Sequence, residues 1–180
     1  MRNNSFLSRK EVEALGFLAL GNNVLISSKA SFYSTERISI GNNVRIDDFS
    51  ILSGKISIGS FVHISAYVAL YGRQGIQIDD YAGLSPRVTV FSASDDFNGE
   101  YIIGPFFSKE QTNLICGKVH IQKYAQLGVN SVVFPGVVVG EGAVCGALSL
   151  INNDLEPWTI NVGIPSRKLK NRSKNLLNKF

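Results

Sequence analysis

Only two cysteines occur in the chain, Cys116 and Cys145, far apart and in no metal-ligand spacing. That excludes a disulfide framework and a cysteine zinc site, and both are expected to be reduced, structural residues. Long apolar runs are also missing. Stretches such as Val137-Val138-Val139 fall far short of the roughly 18 residues a membrane-spanning helix needs, and the N-terminus lacks the apolar centre of a signal peptide. The protein is therefore expected to be soluble and cytoplasmic, with no membrane partner. Acidic residues are absent after Glu156, which explains the formal charge of +4. Six of the 18 basic residues (Arg167, Lys168, Lys170, Arg172, Lys174, Lys179) lie in that tail, leaving 12 basic against 14 acidic residues in 1–156, a net charge of −2. Charge so confined suits a few phosphates rather than a nucleic-acid duplex.

What the sequence does have is a period of six. Leu20, Ile26 and Phe32, then Ile40, Ile46, Leu52, Ile58, Ile64 and Leu70, then Ile78, Leu84 and Val90 are all apolar, as are Ile121, Leu127, Val133, Val139, Cys145 and Ile151. The residue after each is usually small or turn-forming, and the fifth position is usually small or β-branched. Such a period fits neither a 3.6-residue helix nor a hairpin meander. It fits a short strand and a tight turn, with one large side chain pointing inward per unit. Two steps, Phe32 to Ile40 and Leu70 to Ile78, are eight residues long and each closes a triplet. Three units therefore make one coil, and stacked coils make an all-β solenoid of about six coils cored by Leu, Ile and Val.

A solenoid needs covered ends. Ser8 to Glu11 has the form of a capping box opening a short helix to about Leu15. Pro157 to Pro165 reads as irregular. Ser166 to about Asn178 reads as a closing helix with Leu169, Leu176 and Leu177 on its inner side. The whole of 1–180 is expected to be one domain, with an N-terminal cap at 1–18, the solenoid at 20–156 and a C-terminal segment and helix at 157–180.

The repeats from Ile121 onward, I-Q-K-Y-A-Q-L-G-V-N-S-V-V-F-P-G-V-V-V-G-E-G-A-V-C-G-A, followed by N-V-G-I-P-S-R-K-L-K, resemble the hexapeptide-repeat acyltransferases. The resemblance covers nearly the whole chain. It implies a left-handed parallel β-helix, a homotrimer, and acetyl-CoA bound in grooves between subunits; the hand comes from the resemblance alone. Within the family, the tail N-R-S-K-N-L-L and the stretch S-A-S-D-D-F-N-G-E look most like enzymes that acetylate dTDP-4-amino-4,6-dideoxyglucose. The implied role is a step of O-antigen or other surface-polysaccharide synthesis.

Between Val90 and Ile121 the step is 31 residues, so a loop near 91–118 leaves the helix. Loops of that length in a compact domain are usually functional or disordered, and Phe91, Phe97, Tyr101, Phe106 and Phe107 are too many aromatics for a solvated linker. Sugar O-acetyltransferases of the family carry a general-base histidine early in this loop; the resemblance puts Asp95 in its place. A hydroxyl acceptor needs a base poised near neutrality, and an aspartate of ordinary pKa, about 3.9, is too weak. An amine can attack as the free base and needs chiefly orientation, which a carboxylate supplies. Asp95 is therefore the first candidate for catalysis. Ser85, Asp96, Glu100 and Glu141 are candidates for substrate contact. The competing expectation is an Asx-type turn for Asp95 and Asp96 and a solvated Glu100.

The resemblance places the cofactor contacts on Val129, Ala147, Asn152, Asn153, Arg167 and Lys170. Many relatives have Thr-Lys where this chain has Asn152-Asn153, which removes a phosphate-binding charge. His63 and His120 precede inward positions and should point outward; His120 is the candidate base if the acceptor is a hydroxyl. The remaining alternatives are a trimeric zinc carbonic anhydrase, which needs three converging histidines where only two exist, and a non-catalytic solenoid. No metal is expected. No nucleotide-reading motif occurs, so the dTDP-linked substrate is implied by resemblance alone.

Overall fold

Residues 5–179 are described by a computed structural model; residues 1–4 and 180, which the expected cap segments 1–18 and 157–180 include, lie outside the described residues. The six-residue spacing is satisfied by winding three short strands into each coil. Side A carries Ala19–Leu20, Ile38–Ile40, the second halves of Ile51–Ile58 and Ala69–Ile78, Val119–Ile121 and Val138–Val139. Side B carries Leu25–Ile26, Arg45–Ile46, His63–Ile64, Gly83–Leu84, Gln126–Leu127, Val144–Cys145 and Thr159–Val162. Side C carries Ser31–Tyr33, the first halves of Ile51–Ile58 and Ala69–Ile78, Thr89–Phe91, Val132–Val133 and Leu150–Ile151. Each strand pairs in parallel with its counterpart one coil away. On side B the inward column runs Ile26, Ile46, Ile64, Leu84, Leu127, Cys145 in unbroken register.

Sixteen of the eighteen inward positions read from the sequence are no more than 3% exposed. Leu20 and Phe32 are partly buried because they belong to the first coil, at the open end. The capping box is present there: the Ser8 hydroxyl accepts from Glu11 N, and Ser8 N donates to the Glu11 carboxylate at 2.8 Å. It opens the helix Arg9–Ala14, which seats the fully buried Val12 on the core.

Between sides C and A, Ile51–Ile58 and Ala69–Ile78 run round the corner without a break. Their register shifts there: Lys55 alone separates Gly54 from Ile56, whereas Arg73, Gln74 and Gly75 separate the facing residues Gly72 and Ile76. The eight-residue step is thus a bulge. The corner admits only glycine, since a Cβ on Gly72 would meet Lys55 O at 2.6 Å.

The C-terminus departs from expectation. Thr159–Val162, in the stretch read as irregular, is a strand that gives side B a seventh level, so the solenoid has about seven turns rather than six. The closing helix is absent. Arg167–Asn171 is instead a strand antiparallel to Thr159–Val162, and only Asn175–Lys179 is helical, as a 3-10 turn. Leu169 is 62% exposed and Leu177 38%, so these leucines form no inner face. The physical reason is the open edge of the last strand. Its unpaired N–H and C=O groups need partners, and an added strand supplies them where a helix cannot. Arg172 then pins the tail by donating to Tyr124 O and Gly142 O, both at 2.9 Å.

Candidate active site

The extruded segment is more ordered than a long loop requires. Ser92, fully buried, sits at its mouth: its hydroxyl donates to Tyr71 O at 3.0 Å and accepts from Gln74 N at 2.8 Å. Its carbonyl accepts from Gly117 N at 3.0 Å, where the segment returns. Between these points Ala93–Asp95 and Leu114–Cys116 form an antiparallel ribbon with Asp95 opposite Leu114. The sequence contained no pattern that singled out Ser92, because a serine at a strand end is common throughout the repeats.

Asp95 ends the first strand of the ribbon and lines a cleft of about 670 Å³. Strand ends on sides C and A form one wall (Ser53, Gly54, Tyr71, Arg73, Phe91), and the ribbon tip forms the other (Gly104, Pro105, Phe107, Lys109, Thr112). Among the described residues, the half-buried Asp95 carboxylate has no hydrogen-bond or ion-pair partner. Neighbouring Asp96 is fully engaged. Its carboxylate accepts from Asn98 N at 3.0 Å, Asn98 Nδ2 at 3.1 Å and Asn113 Nδ2 at 2.9 Å, an Asx turn that staples the tip. Glu100 is exposed and reaches only Asn98 Nδ2, at 3.5 Å. The structure therefore separates the three carboxylates: Asp95 faces the cleft, Asp96 builds the tip, and Glu100 is peripheral.

Ser85 lies at the corner between sides B and C, at the opposite edge of side C from the ribbon. It lines a recess of about 220 Å³ with Phe61, His63, Tyr81 and Gln126 that shares no residue with the Asp95 cleft. The register Leu84, Leu127, Cys145 places Gly128 and Gly146 above Ser85 in one column. Val129 and Ala147 follow these glycines, with Leu148 N donating to Val129 O at 2.9 Å. Arg167 pairs with Val162 in the last level and so caps this corner, whereas Lys170 sits opposite Ile160 further along the strand. Asn152 and Asn153 follow Leu150–Ile151, at the corner between sides C and A, and bond to each other at 3.1 Å. The structure thus brings Ser85, Val129, Ala147 and Arg167 to one corner. Asn152, Asn153, Lys170 and Glu141 do not join them within one chain.

His120 lies on side A with Nε2 2.7 Å from Asp79, and His63 on side B with Nε2 2.7 Å from Asp47. Both point outward as expected, and neither lines the Asp95 cleft. Cys145 is buried in the inward column, where desolvation raises the thiol pKa, so a nucleophilic thiolate is disfavoured. No group of three or more metal-ligating side chains occurs among the described residues.

No protein-family model matches the sequence. It is 43% identical over 176 residues to the dTDP-4-amino-4,6-dideoxy-D-glucose acyltransferase of Escherichia coli, covering 96% of this chain and 92% of that protein. The structure superposes on AntD, an N-acyltransferase from Bacillus cereus solved with dTDP and 3-hydroxybutyryl-CoA, with a TM-score of 0.96 and 49% identity over 98% of this chain and 94% of the other. A serine-to-cysteine variant of that enzyme with dTDP-4-amino-4,6-dideoxyglucose and coenzyme A gives 0.97 and 48%, over 99% and 96%. A hexapeptide-repeat acetyltransferase from Vibrio cholerae, 22% identical with a TM-score of 0.67 over 93% of this chain and 80% of that one, shares the fold. With near-complete coverage in both directions and the six-residue coil intact, the chain belongs to the dTDP-4-amino-4,6-dideoxyglucose acyltransferases of the hexapeptide-repeat family.

Proposed function

We propose that the protein transfers an acyl group from acyl-CoA, with acetyl-CoA the expected donor, to the amino group of dTDP-4-amino-4,6-dideoxyglucose. The observation that carries the reading is the Asp95 carboxylate: half-buried, facing a cleft of about 670 Å³, and without an internal partner. It accepts a hydrogen bond from the substrate amine and aims the nitrogen lone pair at the thioester carbonyl. Attack forms the C–N bond and a tetrahedral intermediate. Collapse breaks the C–S bond, and the proton lost from nitrogen goes to the departing thiolate, leaving an amide and free CoA. A hydroxyl acceptor is not favoured, because the relatives that match nearly the whole chain are amino-sugar N-acyltransferases.

Solved forms of AntD include variants at one serine and at one aspartate ten residues further on. Ser85 and Asp95 have the same separation here, which supports their joint assignment. Since the two lie at opposite edges of side C, the assignment requires a second copy to bring one chain's Ser85 column to its neighbour's ribbon. The outward positions of side C are apolar or small (Ile51, Ala69, Thr89, Val132, Leu150), and on the ribbon Phe97 is 74% and Phe106 96% exposed. A homotrimer closed through this side covers both. The CoA arm then lies along the Val129 and Ala147 corner, small enough for its amides to bond backbone, with Arg167 and Lys170 toward its phosphates; Asn152 and Asn153 contribute only if a neighbouring chain presents them. Ser85 contacts the sugar, Asp96 acts by holding the tip, and Glu100 and Glu141 are left as outer contacts. Placement in the cytoplasm and a role in O-antigen or related surface polysaccharide complete the reading.

The test is mass-spectrometric detection of product with purified protein, a series of CoA thioesters, and matched amino and hydroxy nucleotide sugars. Amide formation on the 4-amino sugar is expected, and turnover only of hydroxy acceptors overturns the reading.

A further inference from the structure

Asp95 lines the cleft with a carboxylate that no amide or side chain holds among the described residues. Its aim is therefore set by the main chain of Ala93–Asp95, and that strand starts directly after Ser92. Ser92 uses every polar group it has. Its N–H and its hydroxyl both donate to Tyr71 O at 3.0 Å, the hydroxyl accepts from Gln74 N at 2.8 Å, and its carbonyl accepts from Gly117 N at 3.0 Å. The residue is fully buried, so each of these bonds is made away from competing water.

The partners belong to both walls of the cleft. Tyr71 and Gln74 are the first and fourth residues of the turn that forms the bulge, and Tyr71 and Arg73 of that turn line the opening. The Ser92 hydroxyl stands between the C=O and the N–H at the turn's two ends, so the coil wall is fastened to the root of the ribbon wall. Phe91, stacked on Tyr71 with ring centroids 5.3 Å apart, adds an apolar tie at the same place. The returning leg is held from the other side. A Cβ on Gly117 would meet Gly136 Cα at 2.5 Å, so here backbone lies against backbone one coil above.

We infer that Ser92 is the positioning residue for Asp95: its hydroxyl fixes the angle at which the ribbon leaves the solenoid, and thereby the point at which the carboxylate meets the substrate amine. The inference rests on the N-acyltransfer reading given above and deepens it. Three residues of extended chain put Asp95 about 10 Å from Ser92, so a tilt of about 6° displaces the carboxylate by roughly 1 Å, a misplacement that can cost on the order of 100-fold in a reaction governed by alignment. Ser92 itself touches no substrate. It acts only through the strand it anchors.

The test is steady-state N-acylation of the 4-amino sugar by wild type, S92A, D95A and S92A/D95A, with melting curves of each. S92A is expected to lower kcat about 10-fold, less than D95A because the carboxylate is misaimed rather than removed, and to leave KM for acyl-CoA within about 2-fold, since the expected donor corner with Val129 and Ala147 lies elsewhere. Its melting temperature should fall modestly, from the lost hydrogen bonds. S92A/D95A should be no slower than D95A, because without the carboxylate nothing remains to be aimed. A serine that serves stability alone would slow the D95A enzyme by the same factor as wild type. S92T and S92V, equal in shape, isolate the hydroxyl: S92T should keep most of the activity and S92V should lose as much as S92A. Unchanged kcat in S92A overturns the inference, as do losses that multiply in the double variant. Failure of S92A and S92V to fold while S92T folds overturns it too, since the hydroxyl then acts on stability. If wild type N-acylates the sugar in any of these cases, the functional reading survives without a role for Ser92. If wild type turns over only a hydroxy acceptor, the functional reading falls and the same four enzymes assayed on that acceptor decide the inference. If wild type acylates neither, both fall.

Discussion

Between Leu52 and Val90 the inward side chains are at most 3% exposed, and each meets a like side chain one coil above and below. Between Phe97 and Phe107 the ribbon tip exposes most of its apolar side chains, and its order comes from amides and carboxylates: Asp96 with Asn98 and Asn113, and Ser108 with Gln111 and Thr112. The coils are held by burial, which is non-directional and cumulative over many levels. The tip is held by a few hydrogen bonds worth about 1 kcal/mol each in net terms. The difference assigns stability to one region and adaptability to the other, and the Asp95 cleft lies where they meet.

The largest effect that separates them is on activity. D95A is expected to lower kcat about 100-fold by removing the group that aims the amine, with no change in melting temperature. Initial rates with the 4-amino sugar check it, and unchanged rates remove Asp95 from the mechanism. In the coils, L70A should destabilise by about 2–5 kcal/mol, since Leu70 is fully buried and stacked on both sides. F106A on the 96% exposed tip should stay within about 0.5 kcal/mol. Denaturant titrations of the two variants sharpen or break the contrast directly.

Each region also carries one cysteine. Cys116, exposed on the ribbon, should react with a thiol reagent in the native protein. Cys145, buried with its thiol pKa raised, should react only after unfolding. Peptide mapping after brief alkylation distinguishes them. The smallest effect concerns pH. Hydrogen bonds from Lys29, then Ser27 and Ser5, hold the Asp48 carboxyl well below the usual carboxylate range. A depressed folded-state pKa gives stability that is present above the unfolded value of about 3.9 and lost as pH falls through the folded one. D48N should therefore melt slightly below wild type at pH 7, with the gap closing as the medium is acidified below pH 4.

The coils were legible because each inward residue repeats its neighbour's task; the partial exposure of Leu20 and Phe32 hardly matters when the other sixteen agree. The bulges were legible as irregular steps but not as walls of a cleft, since the spacing of Phe32 to Ile40 and Leu70 to Ile78 does not say that Arg37 and Arg73 line one opening. The C-terminus misled for a local reason. R-K-L-K-N carries two leucine-flanking charges compatible with a helix face, and nothing nearby in sequence announces that Thr159–Val162 leaves an open edge to be paired. Asp95 was singled out through its place in a family motif, and it lines the cleft. Its separation from Asp96 was not legible, because Asn113, which holds Asp96, lies seventeen residues away.

Ser92 and Gly117 meet at 3.0 Å, so the chain leaves the solenoid and rejoins it at almost the same point. Thr89–Phe91 stacks on Ala69–Leu70 below and Val132–Val133 above as if nothing intervened. An excursion that closes on itself in this way is a graft. Its length and composition can be exchanged by insertion or deletion at a loop-closure cost that grows only logarithmically, while the trunk keeps its register. On the proposed reading, one wall of the acceptor cleft can be rewritten in one contiguous segment, without selection having to refold the protein that carries it.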